Sequence, residues 1–272
     1  RTTEAIAVYA ATPAALEGDP PPSAQAAFKA GQLELAAGED AAAYRWLWRA
    51  VSDWPDEAFA GDAIALLLRD GRSRDPQQLI DSLVALADAL EGSAVADNLY
   101  WALADLAEHE GDDPARARDW LDRITALSPA SPLRDEAWWH GARISRGLGD
   151  GRGAVGRLRA LVATREVARG TGSYFSVWLD NAQLELGIVL RDELGDLAGA
   201  AAALRQLPED YPASILRDDA LFELAVTLER GGDRAAACAA LARLAADWPD
   251  SKYRLGRAQD RAAALSCPPP AR

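Results

Sequence analysis

Apolar residues recur at intervals of three and four along most of the chain, a spacing that predicts amphipathic helices. The stripe that begins at Asp218 runs to Leu228, stops at Gly232-Asp233 and resumes as far as Trp248-Pro249. A Gly in this position can end one helix in the left-handed conformation, and the Asp that follows can cap the next helix. We therefore predict a helical hairpin from Asp218 to Ser251.

The same arrangement recurs upstream. Its leading Asp residues are 38, 45 and 38 positions apart, at Asp97, Asp135, Asp180 and Asp218. An N-terminal copy ends at Trp54-Pro55, and a degenerate copy spans about 57 to 92. The repeats thus predict an all-α solenoid of about six helical hairpins.

Small residues occupy two fixed columns of this repeat. On the first helices they are Gly31, Ala104, Ala142, Gly187 and Ala225, and on the second helices they are Ala43, Ala117, Ala154, Ala200 and Ala237. Because two helix backbones approach closely only where side chains are small, we expect the two columns to face each other inside each hairpin.

Together these residues resemble the tetratricopeptide repeat (TPR), whose pattern is W-x2-L-G-x2-Y followed by A-x3-F and a Pro. The resemblance covers about residues 23 to 251 and is strongest in the last four hairpins. It implies a right-handed TPR-like α-solenoid in which the first helix of each hairpin lines a concave groove. It also implies that the groove or the edges of the solenoid bind other proteins.

The links between hairpins read Pro-x-Ser at 129–131, 212–214 and 249–251. They are similar to the links of periplasmic and outer-membrane-associated TPR proteins of Gram-negative bacteria. This resemblance implies a non-catalytic scaffold or adaptor that serves as a subunit or assembly factor of a cell-envelope complex. The alternative is a cytosolic TPR co-chaperone or regulatory adaptor.

The sequence divides into three parts. Residues 1–22 are predicted to be a separate N-terminal arm that the tri-proline Pro20–Pro22 stiffens, and residues 23–251 form the repeat domain. Residues 252–272 combine a capping helix, which covers the open end of the solenoid, with a Pro-rich tail.

No constellation for catalysis is visible. His109 and His140 have no Ser or Cys nucleophile near them in the pattern, and the glycine-dense segment 147–153 occupies the place of an interhelical turn. Cys238 and Cys267 lack further Cys or His at zinc-ligand spacing. We therefore expect no enzyme activity, no cofactor and no metal.

The charge pattern points to protein partners. A net charge of -13 would repel a phosphate backbone, so nucleic acid is not an expected partner. A local exception is the stretch 134–169, with eight Arg and four acidic residues, which is either a solvated face of one hairpin or a dock for an acidic partner. No apolar run is long enough to span a membrane, although association with a membrane complex is expected.

Compartment and cysteine pairing are linked questions. The sequence contains no Met and begins at Arg1, so we expect a mature product whose signal peptide has been removed, in the periplasm or envelope; the alternative is the cytoplasm. A capping helix antiparallel to the helix of Cys238 would bring Cys267 back to it, and in an oxidising compartment the two can form a disulfide.

One column of large side chains defines the candidate site. The positions three before the small first-helix residues are Phe28, Trp101, Trp139, Leu184 and Phe222. The column either packs adjacent first helices together or forms an apolar ladder for a partner segment, with hydrogen bonds from Asn98, Asn181, Arg143 and Arg146. The same four polar residues are only a partial substitute for the Lys and Asn of a co-chaperone carboxylate clamp.

Overall fold

The computed structural model describes residues 2–16, 19–171, 176–253 and 256–268, with backbone alone for 166–171. Within these ranges the chain forms fourteen α-helices and no strand. The helices are α1 (Thr2–Ala15), α2 (Pro20–Ala37), α3 (Asp40–Asp53), α4 (Ala58–Gly71), α5 (Pro76–Ala89), α6 (Ala96–His109), α7 (Pro114–Leu127), α8 (Arg134–Gly147), α9 (Gly151–Thr171), α10 (Leu179–Asp192), α11 (Leu197–Asp210), α12 (Arg217–Arg230), α13 (Arg234–Asp247) and α14 (Arg257–Ala264).

The helices from α2 to α13 form six consecutive hairpins, and α14 follows as a closing helix. The chain divides into two compact units, Arg1–Ala137 and Trp138–Arg272. Neighbouring helices pack against each other inside each unit. The predicted all-α fold of TPR-like hairpins is confirmed.

The turns inside the last four hairpins follow the predicted Gly-Asp chemistry, with one exception. Gly149, Gly195 and Gly232 have φ values of 76°, 67° and 79°, and the Asp after each accepts a hydrogen bond from the backbone N–H three residues on. Between α6 and α7 the left-handed residue is Asp112, with φ of 45°, and Asp113 is the cap. Asp tolerates the left-handed region better than most residues, so the turn shifts by one position.

The small-residue columns lie where the two helices of a hairpin approach most closely. A Cβ atom on Gly187 would lie 2.5 Å from Cγ of Leu204, and one on Gly31 would lie 2.8 Å from Cγ of Leu47. Both distances are far shorter than a carbon–carbon contact. Because the alanines of the facing column are fully buried, each hairpin is held together by a strip of small side chains with a Leu against it.

The Ser side chain of each Pro-x-Ser link makes two hydrogen bonds, one to the preceding hairpin and one to the backbone that follows the link. The Ser hydroxyl donates to the leading Asp, in Ser131 to Asp97, Ser214 to Asp180 (2.6 Å) and Ser251 to Asp218 (2.7 Å). The same oxygen accepts from the backbone N–H two residues on, in Leu133, Leu216 and Tyr253. This Asp–Ser clamp fixes the point at which the chain turns into the next element.

The N-terminal segment differs from the predicted arm. Thr2–Ala15 is a helix that packs against α2, and the three prolines form the first turn of α2. Proline is tolerated there because the first N–H groups of a helix have no intrahelical acceptor, and its fixed φ suits the helix. The tri-proline therefore starts a helix and does not stiffen a linker.

The irregular spacing of 45 between Asp135 and Asp180 also has a structural cause. Helix α9 has 21 residues, whereas the second helix of each other hairpin has 14. The seven additional residues extend α9 by about two turns.

The close approach at Gly187 generates a stability prediction. Gly187→Ala should lower the free energy of unfolding by about 1–2 kcal/mol. The added methyl group displaces Leu204, and the energy cost of this displacement exceeds the gain from the higher helix propensity of Ala. The measurement is urea unfolding followed by circular dichroism.

Gly156→Ala is the matched control, since a Cβ atom at that exposed helical position meets no atom within 4 Å. It should raise stability by roughly 0.5–1 kcal/mol. A Gly187→Ala variant as stable as the parent protein would contradict the close approach.

Candidate binding face of the second unit

The first helices of the second unit, α8, α10 and α12, lie side by side, and polar and aromatic contacts join them. We call this surface the first-helix face, defined by Trp139, Arg143 and Arg146 on α8, by Trp178, Asn181, Glu185 and Arg191 at and after the start of α10, and by Glu223 and Arg230 on α12.

The aromatic part of the face is a stacked tryptophan pair. The rings of Trp139 and Trp178 have centroids 5.3 Å apart and planes 13° from parallel, and His140 meets Trp178 with its edge. Both indoles are half-buried against the apolar core of α9 and α10. The pair therefore presents a fixed aromatic surface at the edge of the core.

Trp139 was predicted from the sequence, but Trp178 was not. Its link to α10 lacks the Pro of the other links, so the repeat pattern is hard to see there. The signal present in the sequence is Ser176, whose hydroxyl oxygen accepts from the Trp178 N–H at 3.2 Å, as in the other links.

Arg146 forms ion pairs within the second unit. Its guanidinium donates to Glu193 at 2.6 Å and also to Glu185, so it joins α8 to α10 and to the turn that follows α10. Two carboxylates of the same unit thus compensate the charge of Arg146, while its role in binding a partner stays a prediction.

A second charged cluster joins α10 to α12. The Arg191 side chain is 5% exposed and donates to Glu223 at 2.5 Å and to Asp192 at 2.8 Å. Arg230 donates to the same Asp192 at 2.5 Å. The hydrogen bond from Arg191 is the main reason that the pKa of Asp192 falls from 3.8 to about 2, and bonds to both carboxylates raise the pKa of Arg191.

The predicted large-residue column does not form one accessible ladder. Phe28 is 7% exposed and packs against Phe59 of α4, and Phe222 is 1% exposed and stacks on Tyr253 with centroids 4.2 Å apart. Leu184 is half-buried against the core around α12. Phe28 and Phe222 are thus core residues, because an aromatic ring from beyond the next helix packs on each of them.

The remaining predicted residues fall in both units. Asn98 and half-buried Trp101 belong to the first unit, and the Asn98 amide fills the space beside Gly61, where a Cβ would lie 3.0 Å from its Oδ1. Arg143 and Asn181 belong to the second unit. Arg143 is exposed, whereas Asn181 is half-buried and its amide group lies 3.4 Å from Asp180.

Four of the eight arginines in the basic stretch 134–169 are engaged within the protein, Arg146 among them. Arg134 pairs with Asp135, Arg157 donates to Ser145, and Arg165 pairs with Asp210 at 3.0 Å. The side chain of Arg169 lies outside the described residues. Three arginines of the stretch are exposed to solvent, Arg143, Arg152 and Arg159.

A disulfide joins Cys238 on α13 to Cys267 after α14, with Cα atoms 5.4 Å apart. Among the residues that the structure describes, no cluster of His, Cys, Asp and Glu has the arrangement of a metal site. None of the described helices is long and apolar enough to cross a membrane.

Comparison with known proteins agrees with this geometry. The family model described as tetratricopeptide repeat matches residues 181–214 and 219–251, which span α10 to α13 and the links after each hairpin. The chain carries tetratricopeptide repeats. A search of curated protein sequences found no match to this TPR protein.

Several solved structures are similar to this chain at low sequence identity. YrrB, described as a TPR protein with an unusual peptide-binding site, has a TM-score of 0.51 and 14% identity, covering 75% of this chain and 93% of YrrB. MamA has a TM-score of 0.49 and 15% identity, covering 75% and 94%. PilW, a type IV pilus biogenesis factor, has a TM-score of 0.47 and 16% identity, covering 85% and 96%.

The Asp192 cluster predicts a pH dependence of stability. The folded pKa of about 2 is below the ordinary 3.8, so the contribution of Asp192 is present above about pH 4 and is lost as the pH falls through 2. Asp192→Asn should cost about 1 kcal/mol at neutral pH, a value discounted for solvent screening of the partly exposed carboxylate. Urea unfolding at several pH values measures the difference, which should shrink below about pH 4.

Asp247→Asn provides the control, because Asp247 and Arg243 form an exposed pair one helical turn apart on α13. Its effect should stay within about 0.5 kcal/mol at neutral pH. A cost of Asp192→Asn that does not change with pH would show that the cluster does not stabilise the fold through charge.

Proposed function

We propose that this TPR protein is a non-catalytic scaffold that binds a segment of a partner protein on the first-helix face of its second unit. The observation that carries the proposal is the half-exposed Trp139–Trp178 stack with the exposed Arg143 one turn away from Trp139 on α8. Trp and Arg are the residues most enriched at the energetic centres of protein interfaces. Residues four apart on a helix share one side, so both groups can reach one ligand.

The charge distribution of this face defines the partner. Arg146 and Arg191 are neutralised by carboxylates of the protein, whereas the described side chains provide no ion-pair partner for Arg143. An acidic side chain of the partner can pair with Arg143 while an apolar or aromatic side chain lies on the indole stack. The partner segment is therefore acidic and carries a large apolar residue.

Precedent for peptide binding on this fold comes from YrrB, whose structure is described by its peptide-binding site. The alternative of a cytosolic co-chaperone gains no support from the contacts. Its carboxylate clamp needs free cations beside Asn, and Arg146 is committed to Glu185 and Glu193.

The compartment that we propose is the cell envelope, where the protein would serve as a subunit or assembly factor of a complex. The Cys238–Cys267 disulfide supports an oxidising compartment, since disulfides persist there and are rare in the cytosol. Fractionation of cells that express the full gene product tests this, and we expect the protein with the periplasm or the membranes. Recovery from the cytoplasm with free thiols would contradict it.

Charge reversal at Arg143 tests the binding face. Arg143→Glu should weaken capture of the partner from an envelope extract by tenfold or more, which corresponds to about 1.4 kcal/mol, because it places a carboxylate opposite the acidic segment. The measurement is quantitative mass spectrometry of proteins retained by the immobilised variant and by the parent protein.

Arg159→Glu is the matched control, since Arg159 is equally an exposed arginine but lies on the second helix α9. It should retain the partner, and both variants should melt within a few degrees of the parent. Equal loss of partner in both variants, or retention by Arg143→Glu, would remove the first-helix face as the binding site.

A further inference from the structure

The closing helix α14 contacts the hairpin that it covers mainly through the small side chains of Ala258 and Ala262 and through Arg257, which lies over the ring of Phe222. Of its eight residues, Ala258 alone is buried. A cavity of about 440 Å³ lies between α14 and α13, lined by Leu241, Ala245, Ala262 and both cysteines. Because packed helices normally leave few voids larger than a water molecule, burial alone holds this helix weakly.

The two ends of the closing segment are attached differently. Before α14, Tyr253 is buried, stacks on Phe222, and donates its hydroxyl to Asp219 at 2.6 Å. After α14, the chain is attached by the Cys238–Cys267 disulfide, by a hydrogen bond from Arg234 to the exposed Ser266 carbonyl and by the partly buried Leu265. The first attachment rests on a fully buried ring, whereas the second depends on one covalent bond, a solvated contact and one partly buried side chain.

Two further contacts bear on whether α14 can move. Gly256, immediately before the helix, has a φ of 99°, in a region that glycine adopts without strain. Arg261, in the middle of α14, pairs with Glu229 of α12. Both side chains are about one-third exposed. A pair that water reaches this easily contributes little, so it does not replace the disulfide as an attachment.

We propose that the Cys238–Cys267 disulfide is a redox latch that holds α14 against α13, and that a dithiol reductant opens it. Opening leaves Tyr253 anchored and lets α14 turn away about Gly256. The movement uncovers Leu241 and Leu244 on α13, which together with the already exposed Ala245 form an apolar strip at the end of the second unit. The latch lies apart from the first-helix face and does not depend on its proposed function.

The chemistry is an ordinary thiol–disulfide exchange. Cys267 is half-exposed and Cys238 is 8% exposed, so the reductant thiolate attacks Sγ of Cys267 and forms a mixed disulfide with it. Cys238 leaves as a thiolate and takes up a proton. The second thiol of the reductant, as its thiolate, then displaces Cys267, which leaves as a thiolate and is protonated. The protein gains two electrons and two protons, and the reductant becomes a disulfide.

Hydrogen exchange on the intact protein, with and without a dithiol reductant, tests the latch. Reduction should accelerate exchange of the amides of residues 257–267 on the order of tenfold or more, while exchange in α10 and α12 stays the same. An unchanged rate in α14 after complete reduction, verified by thiol labelling, would overturn the proposal. Loss of protection throughout α12 and α13 would also overturn it, because the disulfide would then support the whole hairpin.

A variant without the bond separates the latch from other effects of the reductant. Cys238→Ala with Cys267→Ala should show the fast exchange of α14 without any reductant, and the reductant should cause no further change. If this variant does not fold, reduction of the parent protein remains a sufficient test. Slow exchange of α14 in a folded double variant would contradict the latch.

Discussion

The distance between the two helices of a hairpin is set by the glycine and alanine residues at their interface. At Gly187 and Gly31 the backbone of the first helix lies so close to a leucine of the second that no Cβ atom fits without displacement. The facing alanines are fully buried, so the two helices share a strip of close contact along their length. Because burial in an array comes mainly from contacts between neighbours, this spacing determines how much core each hairpin can contribute.

The Asp–Ser clamp fixes the start of one hairpin relative to the start of the next. In the second unit, Ser214 donates to Asp180 at the start of α10 and at the same time orients the backbone of Leu216 before α12. The start of α12 is thereby fixed relative to the start of α10. Further along the same two helices, Arg191 of α10 donates a hydrogen bond to Glu223 of α12, which lies 32 residues later in the sequence. The charged contacts of the first-helix face thus depend on hydrogen bonds made in the links.

The sequence predicted the features that depend on the backbone and on nearest neighbours. Hairpin number, small-residue columns and Gly-Asp turns follow from periodicity and from which residues tolerate a left-handed φ or a close approach. It could not settle positions that a distant element decides. For Phe222 the periodicity left open core packing or an accessible ladder, and Tyr253, which comes after the next helix, stacks on its ring. For Arg146 the periodicity gave no sign of the two carboxylates, 39 and 47 positions away, that pair with it.

The binding that we propose for the first-helix face depends on this same rigidity. An indole pair held by core packing and an arginine on a stable helix lose little conformational freedom when a ligand arrives, so less interaction energy is consumed by ordering. The internal ion pairs add selectivity. Most arginines of the face already pair with carboxylates of the protein, whereas Arg143 faces solvent. The proposed acidic segment would therefore be attracted to one location beside the tryptophans, although the chain as a whole carries a net charge of -13.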